Sequence, residues 1–154
     1  MQYNYHTHTY LCGHASGTPK EYVEKAIAGG IKYMGFSDHI PHRRKDGTES
    51  SYRVPFQKAR AYAAEICSLR EQYKRKIEIR MGFESEYYPA FFSEMVREAE
   101  AFGAEYLILG PHYLTEEEAT HTIKETDSVD FLKAYVENLT ITKTSINNRG
   151  EDGK

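Results

Sequence analysis

The chain has 154 residues and a formal net charge of −3, with 40% hydrophobic and 28% charged residues. This length and composition fit one folded globular domain and exclude a disordered chain. The acidic balance excludes a broad electrostatic attraction to nucleic acid or to anionic membranes, so an anionic substrate would need local positive charge such as bound metal.

The sequence predicts neither a membrane span nor a secretion signal. No run approaches the roughly 20 apolar residues that cross a bilayer, and the N-terminus lacks both a basic segment and an apolar core. The two cysteines, Cys12 and Cys67, are therefore expected to be reduced thiols. We predict a cytoplasmic protein.

The first part of the chain predicts a strand, a helix and a second strand. Residues 2–8 form a short aromatic strand-like run. A threonine and a proline at residues 18–19 provide an N-cap and a first-turn proline, and a glycine pair at residues 29–30 provides a stop. The second strand is predicted at residues 31–37.

The same alternation continues in the second part. A helix is predicted at residues 55–76, a strand at 76–83, a helix at 89–102, a strand at 105–110 and a helix from residue 127. The apolar stripe of the helix at 55–76 consists of Ala59, Tyr62, Ala63, Ile66, Leu69 and Tyr73. This β-α order predicts an α/β fold with parallel strands joined by helical crossovers.

A histidine or a glutamate stands at the carboxyl end of every predicted strand. His6 and His8 close the first strand, and their spacing of two residues puts both side chains on the same face. His39 comes after the second strand, Glu84 directly after the third and His112 after the fourth. Because ligands bind at the carboxyl ends of parallel strands, we expect these side chains to converge.

This combination of side chains indicates a metal site. Imidazoles and carboxylates together suit zinc, manganese or iron, and a carboxylate can bridge two ions. Clustered divalent ions lower the pKa of a bound water and neutralise phosphate oxygens. His14, in the first loop, is close enough in sequence to join. A single histidine would more simply be a hydrogen-bonded surface or core residue, but the pattern over four strand ends favours metal binding.

The segments that carry these residues resemble the successive motifs of the PHP (polymerase and histidinol phosphatase) domain family. They read Tyr5-His6-Thr7-His8, Cys12-Gly13-His14, Gly35-Phe36-Ser37-Asp38-His39, Gly82-Phe83-Glu84-Ser85-Glu86-Tyr87 and Leu109-Gly110-Pro111-His112. The last two are most similar to the histidinol-phosphatase branch. The resemblance implies a distorted, TIM-like (β/α)7 barrel, of which the chain would supply the first four β-α units.

The resemblance also implies an activity and its cofactors. The activity is the hydrolysis of histidinol phosphate to histidinol and phosphate in histidine biosynthesis, with up to three zinc, manganese or iron ions. The implied ligands are His6 and His8 for the first ion, Glu84 between the first and the second, His112 for the second, and His14 and His39 for the third. Catalysis would proceed through the metals held by His6, His8, Glu84 and His112.

Four further polar residues near these motifs have open roles. Asp38 either orients a neighbouring ligand or caps the turn after the second strand, and Glu86 is expected to support the structure or a ligand rather than to bind metal. The basic segment at residues 42–45 is best interpreted as a solvated loop. Arg53 and His42 are the candidates for binding the substrate phosphate.

The family pattern contains later strands and ligand motifs that find no counterpart after His112, since His121 falls in a polar segment. We therefore expect a C-terminally truncated domain. Residues 1–138 would be the N-terminal part of the PHP domain, and residues 139–154 a polar tail foreign to the family, such as a shift of reading frame would produce. Open barrel edges would favour self-association.

Three alternatives to the histidinol phosphatase remain open. The first is another PHP activity, a phosphoesterase or nuclease, although the acidic charge makes nucleic acid the less suitable substrate. The second is a metal-binding fragment without catalysis. The third is a metal-dependent amidohydrolase, which also has a His-x-His motif on a first barrel strand. The expected partner is a small phosphorylated metabolite, and neither nucleic acid nor a membrane is expected.

Overall fold

The computed structural model describes residues 2–112 together with Val129, Asp130, Lys133 and Val136. These last four residues are helical, and the rest of the predicted fourth helix lies outside the described residues, as do His121 and the segment 139–154. Within the described part of the chain, no helix combines the length and the apolar character that crossing a bilayer requires.

Four parallel strands form one sheet in the order β1-β2-β3-β4. They are β1 (Tyr3–Asn4), β2 (Tyr33–Phe36), β3 (Glu78–Ser85) and β4 (Tyr106–Leu109). The helices α1 (Pro19–Ala28), α2 (Phe56–Tyr73) and α3 (Phe92–Ala101) lie in the three connections between them. The predicted α/β class and the β-α alternation are confirmed over these residues.

The register of β3 gives the sheet the stagger of a barrel wall. Its first four residues pair with β2, Glu78 opposite Tyr33, whereas Gly82 to Ser85 pair with β4. A strand that pairs with one neighbour along its first half and with the other along its second half is staggered and tilted, as strands are in a closed barrel. Glu84 consequently lies inside β3, which continues past the predicted end at residue 83 because β4 supplies a partner there.

The first strand is shorter than predicted. Only Tyr3 and Asn4 pair with β2, while the prediction extended to residue 8. Beyond Asn4 the chain leaves the regular ladder, but Thr7 keeps two hydrogen bonds to Ser37, from the Ser37 amide at 2.9 Å and to its hydroxyl oxygen at 3.1 Å. The segment with His6 and His8 is thereby fixed to β2 without belonging to a strand.

The core lies between the sheet and the helices. The six residues of the predicted apolar stripe on α2 are all buried, and they share one hydrophobic cluster with Met34 and Phe36 of β2 and with Ile79 and Met81 of β3. The predicted N-cap of α1 is confirmed as a capping box. The Glu21 amide donates to the Thr18 hydroxyl, and the Thr18 amide donates to the Glu21 carboxylate; such a cap contributes about 1 kcal/mol.

Tyr106 of β4 joins the strands on the other face of the sheet. Its hydroxyl oxygen lies 2.8 Å from the carbonyl oxygens of both Tyr5 and Phe36, so that its single proton is shared between two acceptors. The phenol ring covers Gly35 and Gly82, where a Cβ atom would overlap it. Because Gly35 and Gly82 have no side chain, the Tyr106 side chain can cross β2 and β3 and reach the segment that follows β1.

We predict that Gly35→Ala lowers the free energy of unfolding by about 1–3 kcal/mol, the usual cost of overfilling a packed site. The new methyl group would overlap the Tyr106 hydroxyl and stand 2.7 Å from Tyr5 Cδ1. Urea denaturation followed by circular dichroism measures the change. Gly29→Ala is the matched control, since Gly29 has a φ of −81° and a Cβ there meets only ordinary contacts from 3.4 Å. Equal stability of both variants would contradict the tight packing of Tyr106.

Candidate metal centre

Two imidazoles and one carboxylate converge at the end of the sheet. His6 Nε2 lies 3.0 Å from His8 Nε2, and Glu84 Oε2 lies 3.0 Å from His6 Nε2 and 2.8 Å from His8 Nε2. Metal–ligand bonds of about 2.0–2.1 Å separate the ligands of a tetrahedral zinc ion by roughly 3.3 Å. A small expansion of this trio would therefore hold a zinc-sized ion.

Two further imidazoles lie near the Glu84 carboxylate. His112 Nε2 lies 3.6 Å from Glu84 Oε1, and His39 Nδ1 lies 3.7 Å from Glu84 Oε2. The His39 Nδ1 atom is buried and has no hydrogen-bond partner among the described residues, which is costly for a polar atom unless a ligand satisfies it. Imidazoles thus lie near both oxygens of Glu84, three near Oε2 and one near Oε1, as expected for a carboxylate that bridges metal ions.

His14 completes the cluster from the first loop. Its ring centroid lies 5.0 Å from that of His8 and 5.2 Å from that of His39. Grouped by distance, the donor atoms form three sets: His6, His8 and Glu84; His39, Glu84 and His112; and His8, Cys12 and His14. The structure thus brings all six predicted metal-binding residues together, while the assignment of His39 and His14 to one third ion stays a prediction.

Backbone pairing and two glycines explain how these side chains meet. The chain after β2 continues alongside β3, where the Ile40 amide donates to the Glu84 carbonyl at 2.9 Å and so places His39 beside Glu84. A Cβ at Gly110 would overlap Glu84 Oε1, so the glycine before the His112 segment leaves the space for the carboxylate. Gly13, with φ of +71°, lets the first loop approach the Ser51 carbonyl.

The ionisation states at the centre of the cluster suit a metal ion. Burial opposes ionisation of Glu84, but hydrogen bonds from His8 and His6 and the nearby charges of His39 and His112 lower its pKa to about 2. Burial is also the main reason why the pKa of His39 falls to about 3. Metals bind an ionised carboxylate and a neutral imidazole, so both groups are in the binding form at neutral pH.

Asp38 ties the first loop to β2. Its buried carboxylate accepts hydrogen bonds from the Thr9 amide at 2.6 Å and the Thr9 hydroxyl at 2.9 Å, and the Cys12 thiol also donates to it. The Asp38 amide donates to the Tyr62 hydroxyl group on α2. Of its two predicted roles, these contacts favour the one in which Asp38 orients the loop that carries metal-binding residues.

Glu86 supports His112. The carboxylate is fully buried, and it accepts a hydrogen bond from the His112 amide at 2.7 Å and lies 2.9 Å from His112 Nδ1. The hydrogen bond to Glu86 raises the pKa of His112. With Nδ1 facing Glu86, the Nε2 atom points to Glu84, in the manner of a carboxylate that orients a metal-binding histidine.

The two candidates for phosphate binding, Arg53 and His42, are buried. Arg43 and Lys45 are exposed, as the interpretation of a solvated basic loop predicts. Arg53 is only 2% exposed. Its guanidinium group lies 5.2 Å from the Tyr52 ring, which contacts the edge of the His39 ring at 5.5 Å, and its charge contributes to the lowered pKa of His39.

His42 has other neighbours than Arg53. Its buried ring packs against Tyr88 at 5.4 Å and Phe91 at 5.1 Å. It lines a cavity of about 430 Å³ between the basic loop and α3. Substrate binding by His42 therefore depends on whether this cavity receives part of the substrate, and it stays a prediction.

Sequence reasoning missed the contact between Cys12 and His8. The sulfur lies 3.2 Å from His8 Nδ1 and is fully buried. Burial and the neighbouring Asp38 carboxylate raise the pKa of the thiol. The only signal in the sequence was the spacing of four residues between His8 and Cys12 in an irregular loop, and that spacing does not specify a contact.

Comparisons with known sequences agree with this geometry. A profile of the PHP domain matches residues 4–152. The probable histidinol-phosphatase of Deinococcus radiodurans is 32% identical over 109 residues, which are 71% of this chain and 41% of that protein. The histidinol-phosphatase of Bacillus subtilis is 30% identical over an alignment of 134 positions that covers 78% of this chain and 50% of that protein. The chain thus spans half or less of the length of these relatives.

Solved structures with the same fold are also histidinol phosphatases by description. One is the histidinol phosphate phosphatase of Lactococcus lactis complexed with zinc, L-histidinol and phosphate, with a TM-score of 0.60 and 24% identity over 73% of this chain and 40% of that one. Another is a histidinol phosphatase candidate from Listeria monocytogenes, with a TM-score of 0.64 and 21% identity over 81% of this chain and 50% of that one. At these identities the likeness shows the fold.

We predict that zinc raises the melting temperature of the protein and that a chelator reverses the rise. Zinc at about 100 times its dissociation constant would stabilise the folded state by about 2.7 kcal/mol. Glu84→Gln removes the charge that both donor groups share, so the rise should largely disappear. Glu100→Gln, at an exposed position of α3, is the matched control and should keep it. An undiminished zinc effect in Glu84→Gln would contradict the central role of Glu84.

Proposed function

The chain belongs to the PHP domain family, and on this premise we propose that it forms part of a metal-dependent phosphatase that hydrolyses histidinol phosphate to histidinol and phosphate. The names of the two curated relatives support this substrate. The observation that carries the proposal is the position of Glu84, whose Oε2 atom faces His6, His8 and His39 and whose Oε1 atom faces His112.

We propose zinc as the metal. The donors are imidazole nitrogens around one carboxylate, which zinc accepts, although manganese and iron accept them as well. The zinc in the Lactococcus lactis structure supports the choice. When bound, such ions neutralise phosphate oxygens and lower the pKa of an attacking water.

The residues of the chain hold and orient these groups. His6, His8, His14, His39 and His112 would present neutral nitrogens, and the Glu84 carboxylate would hold neighbouring ions at a fixed separation. Because Glu84 and His39 are buried, water has little access to compete for them. Their charge and protonation are set by the fold before substrate arrives, so little reorganisation accompanies binding.

We assign the phosphate-binding role first to Arg53. It is a buried cation close to the His39 ring, whereas Arg43 and Lys45 of the basic loop are exposed to solvent. A forked guanidinium group can bind two oxygens of one phosphate. His42 remains the second candidate. Location in the cytoplasm and a place in histidine biosynthesis are parts of the same proposal.

His8→Ala is expected to abolish the release of phosphate from histidinol phosphate, because His8 contacts both His6 and the Glu84 carboxylate. Phosphate release by the zinc-loaded protein is measured with a colorimetric assay. His121→Ala is the control, since His121 lies outside the strand-end pattern of the sequence. Bound zinc without any turnover in the unsubstituted protein would instead favour a metal-binding fragment, and hydrolysis confined to a phosphodiester would favour a different PHP activity.

Arg53→Met is expected to lower kcat/KM for histidinol phosphate by roughly 10–100-fold, the equivalent of about 1.5–3 kcal/mol for a hydrogen bond to a charged group. Arg53→Lys keeps the charge and should lose less. Weaker inhibition by inorganic phosphate should accompany both losses. The exposed Arg75→Met serves as control. If phosphate inhibits Arg53→Met as strongly as the unsubstituted protein, Arg53 does not bind the phosphate.

A further inference from the structure

We propose that the cavity between the basic loop and α3 is a second binding site, which accepts small organic cations that join an ammonium group to a flat apolar ring. The cavity has a volume of about 430 Å³, a usual size for a small-molecule pocket. Among the described residues that line it, none belongs to the six candidate metal-binding residues. The inference therefore depends neither on a bound metal ion nor on the proposed phosphatase activity.

One wall of the cavity is a single side of α3, extended by the residue before the helix. The lining residues recur at helical spacing, so they share this side. They are Phe91, Glu94, Met95 and Glu98. Met95 is buried and Glu98 is half-buried. This wall therefore combines an apolar surface with two carboxylates.

The two carboxylates of this wall have no cation bound to them within the part of the chain that the structure describes. No ion pair joins Glu94 or Glu98 to another described residue. Arg43, on the opposite wall, is engaged elsewhere, since its Nε atom lies 3.6 Å from Glu49 Oε1 and its guanidinium group lies 4.4 Å from the centre of the Phe56 ring. A ligand that carries a positive charge supplies what this wall lacks.

The surroundings of Glu98 favour a cation beside it. Burial, and after it the charge of Glu94, raise the pKa of Glu98 to about 7, although Arg43 and Arg97 offset part of the rise. A cation placed next to this carboxylate would favour its ionised form. The other charged or titratable lining residues are all on the basic loop, and they are His42, Arg44 and Lys45.

Aromatic rings on both sides of the cavity suit a flat ligand. The Phe56 ring already has a guanidinium group over its face, so this wall attracts cations as aromatic rings do. Phe91 is partly exposed and lines the cavity together with Met95, whose thioether makes favourable contacts with rings. A ligand ring would pack on Phe91 and Met95, and its ammonium group would lie between Glu94 and Glu98.

A small anion held by the basic loop is the competing occupant. Arg43 and Lys45 are exposed, and Arg44 donates to the Thr48 hydroxyl group at 3.3 Å. Water and salt screen exposed cations, which weakens their attraction for a small anion. Glu98 is half-buried on the opposite wall, and its charge is screened less. The carboxylate side of the cavity therefore decides the sign of the ligand.

Calorimetric titration of the full, metal-free chain with phenylethylamine at about pH 8, where the amine is protonated, tests the inference. Phenylpropionate is the matched probe, with a carboxylate in place of the ammonium group. We expect the amine to bind and the acid not to bind. Glu98→Gln should weaken binding of the amine by roughly 10-fold, the effect of losing a contact to a charged group. Glu100→Gln, at an exposed position of α3 outside the cavity, should leave it unchanged.

Three results of this titration would overturn the proposal. They are the absence of amine binding, equal binding of the two probes, and an undiminished affinity in Glu98→Gln. Tighter binding of phenylpropionate would likewise exclude a cation site and would assign the cavity to an anion on the basic loop.

The pH dependence of binding is the second measurement. Because the pKa of Glu98 is about 7, roughly a tenth of this carboxylate is ionised at about pH 6 and roughly nine tenths at about pH 8, while an alkylammonium group stays protonated. The affinity for phenylethylamine should therefore rise roughly 10-fold over this interval, and binding should release protons to the buffer. Histidines also titrate in this range, and His42 lines the cavity. A rise that persists in Glu98→Gln would contradict the role of Glu98.

Discussion

The burial of the Glu84 carboxylate is the constraint on which the rest of the site depends. A carboxylate removed from water is unfavourable unless donors or cations surround it. Here His6 and His8 lie within hydrogen-bond distance of Oε2, and the rings of His39 and His112 stand 3.7 and 3.6 Å from the carboxylate. The fold around Glu84 is therefore arranged to bring these groups to one oxygen pair, and the glycine at position 110 keeps that space open.

Support for the metal-binding groups comes from a layer of buried polar residues. Asp38 holds the first loop, Cys12 stands behind His8, and Glu86 stands behind His112. In each case a buried polar side chain contacts one side of a ring or loop, and the other side faces the cluster around Glu84. This arrangement gives the cluster its order through hydrogen bonds that are complete before any ion binds.

The sequence predicted the residues at the strand ends because the carboxyl ends of parallel strands lie at the same edge of a sheet. The same rule predicted five of the six candidate metal-binding residues that the structure brings together, with errors of a few residues at strand ends, while His14 was predicted from its place in the first loop. The end of β3 was misjudged because the pairing of Gly82 to Ser85 with β4 is a long-range property that no local pattern contains. The contact of Cys12 with His8 and the burial of Arg53 were missed for the same reason, since both arise in irregular loops whose path only the folded chain defines.

The hydroxyl group of Tyr106 has a consequence for the order in which the protein forms. It donates to the carbonyl of Tyr5, a residue 101 positions earlier and next to His6. Closing so long a loop has a high entropic cost, and contacts of this kind form late in folding. The segment that carries His6 and His8 gains this anchor only after β4 has docked. Early in synthesis the His-x-His segment therefore lacks this anchor, and the cluster is complete only once β4 and His112, which follows it, have been made.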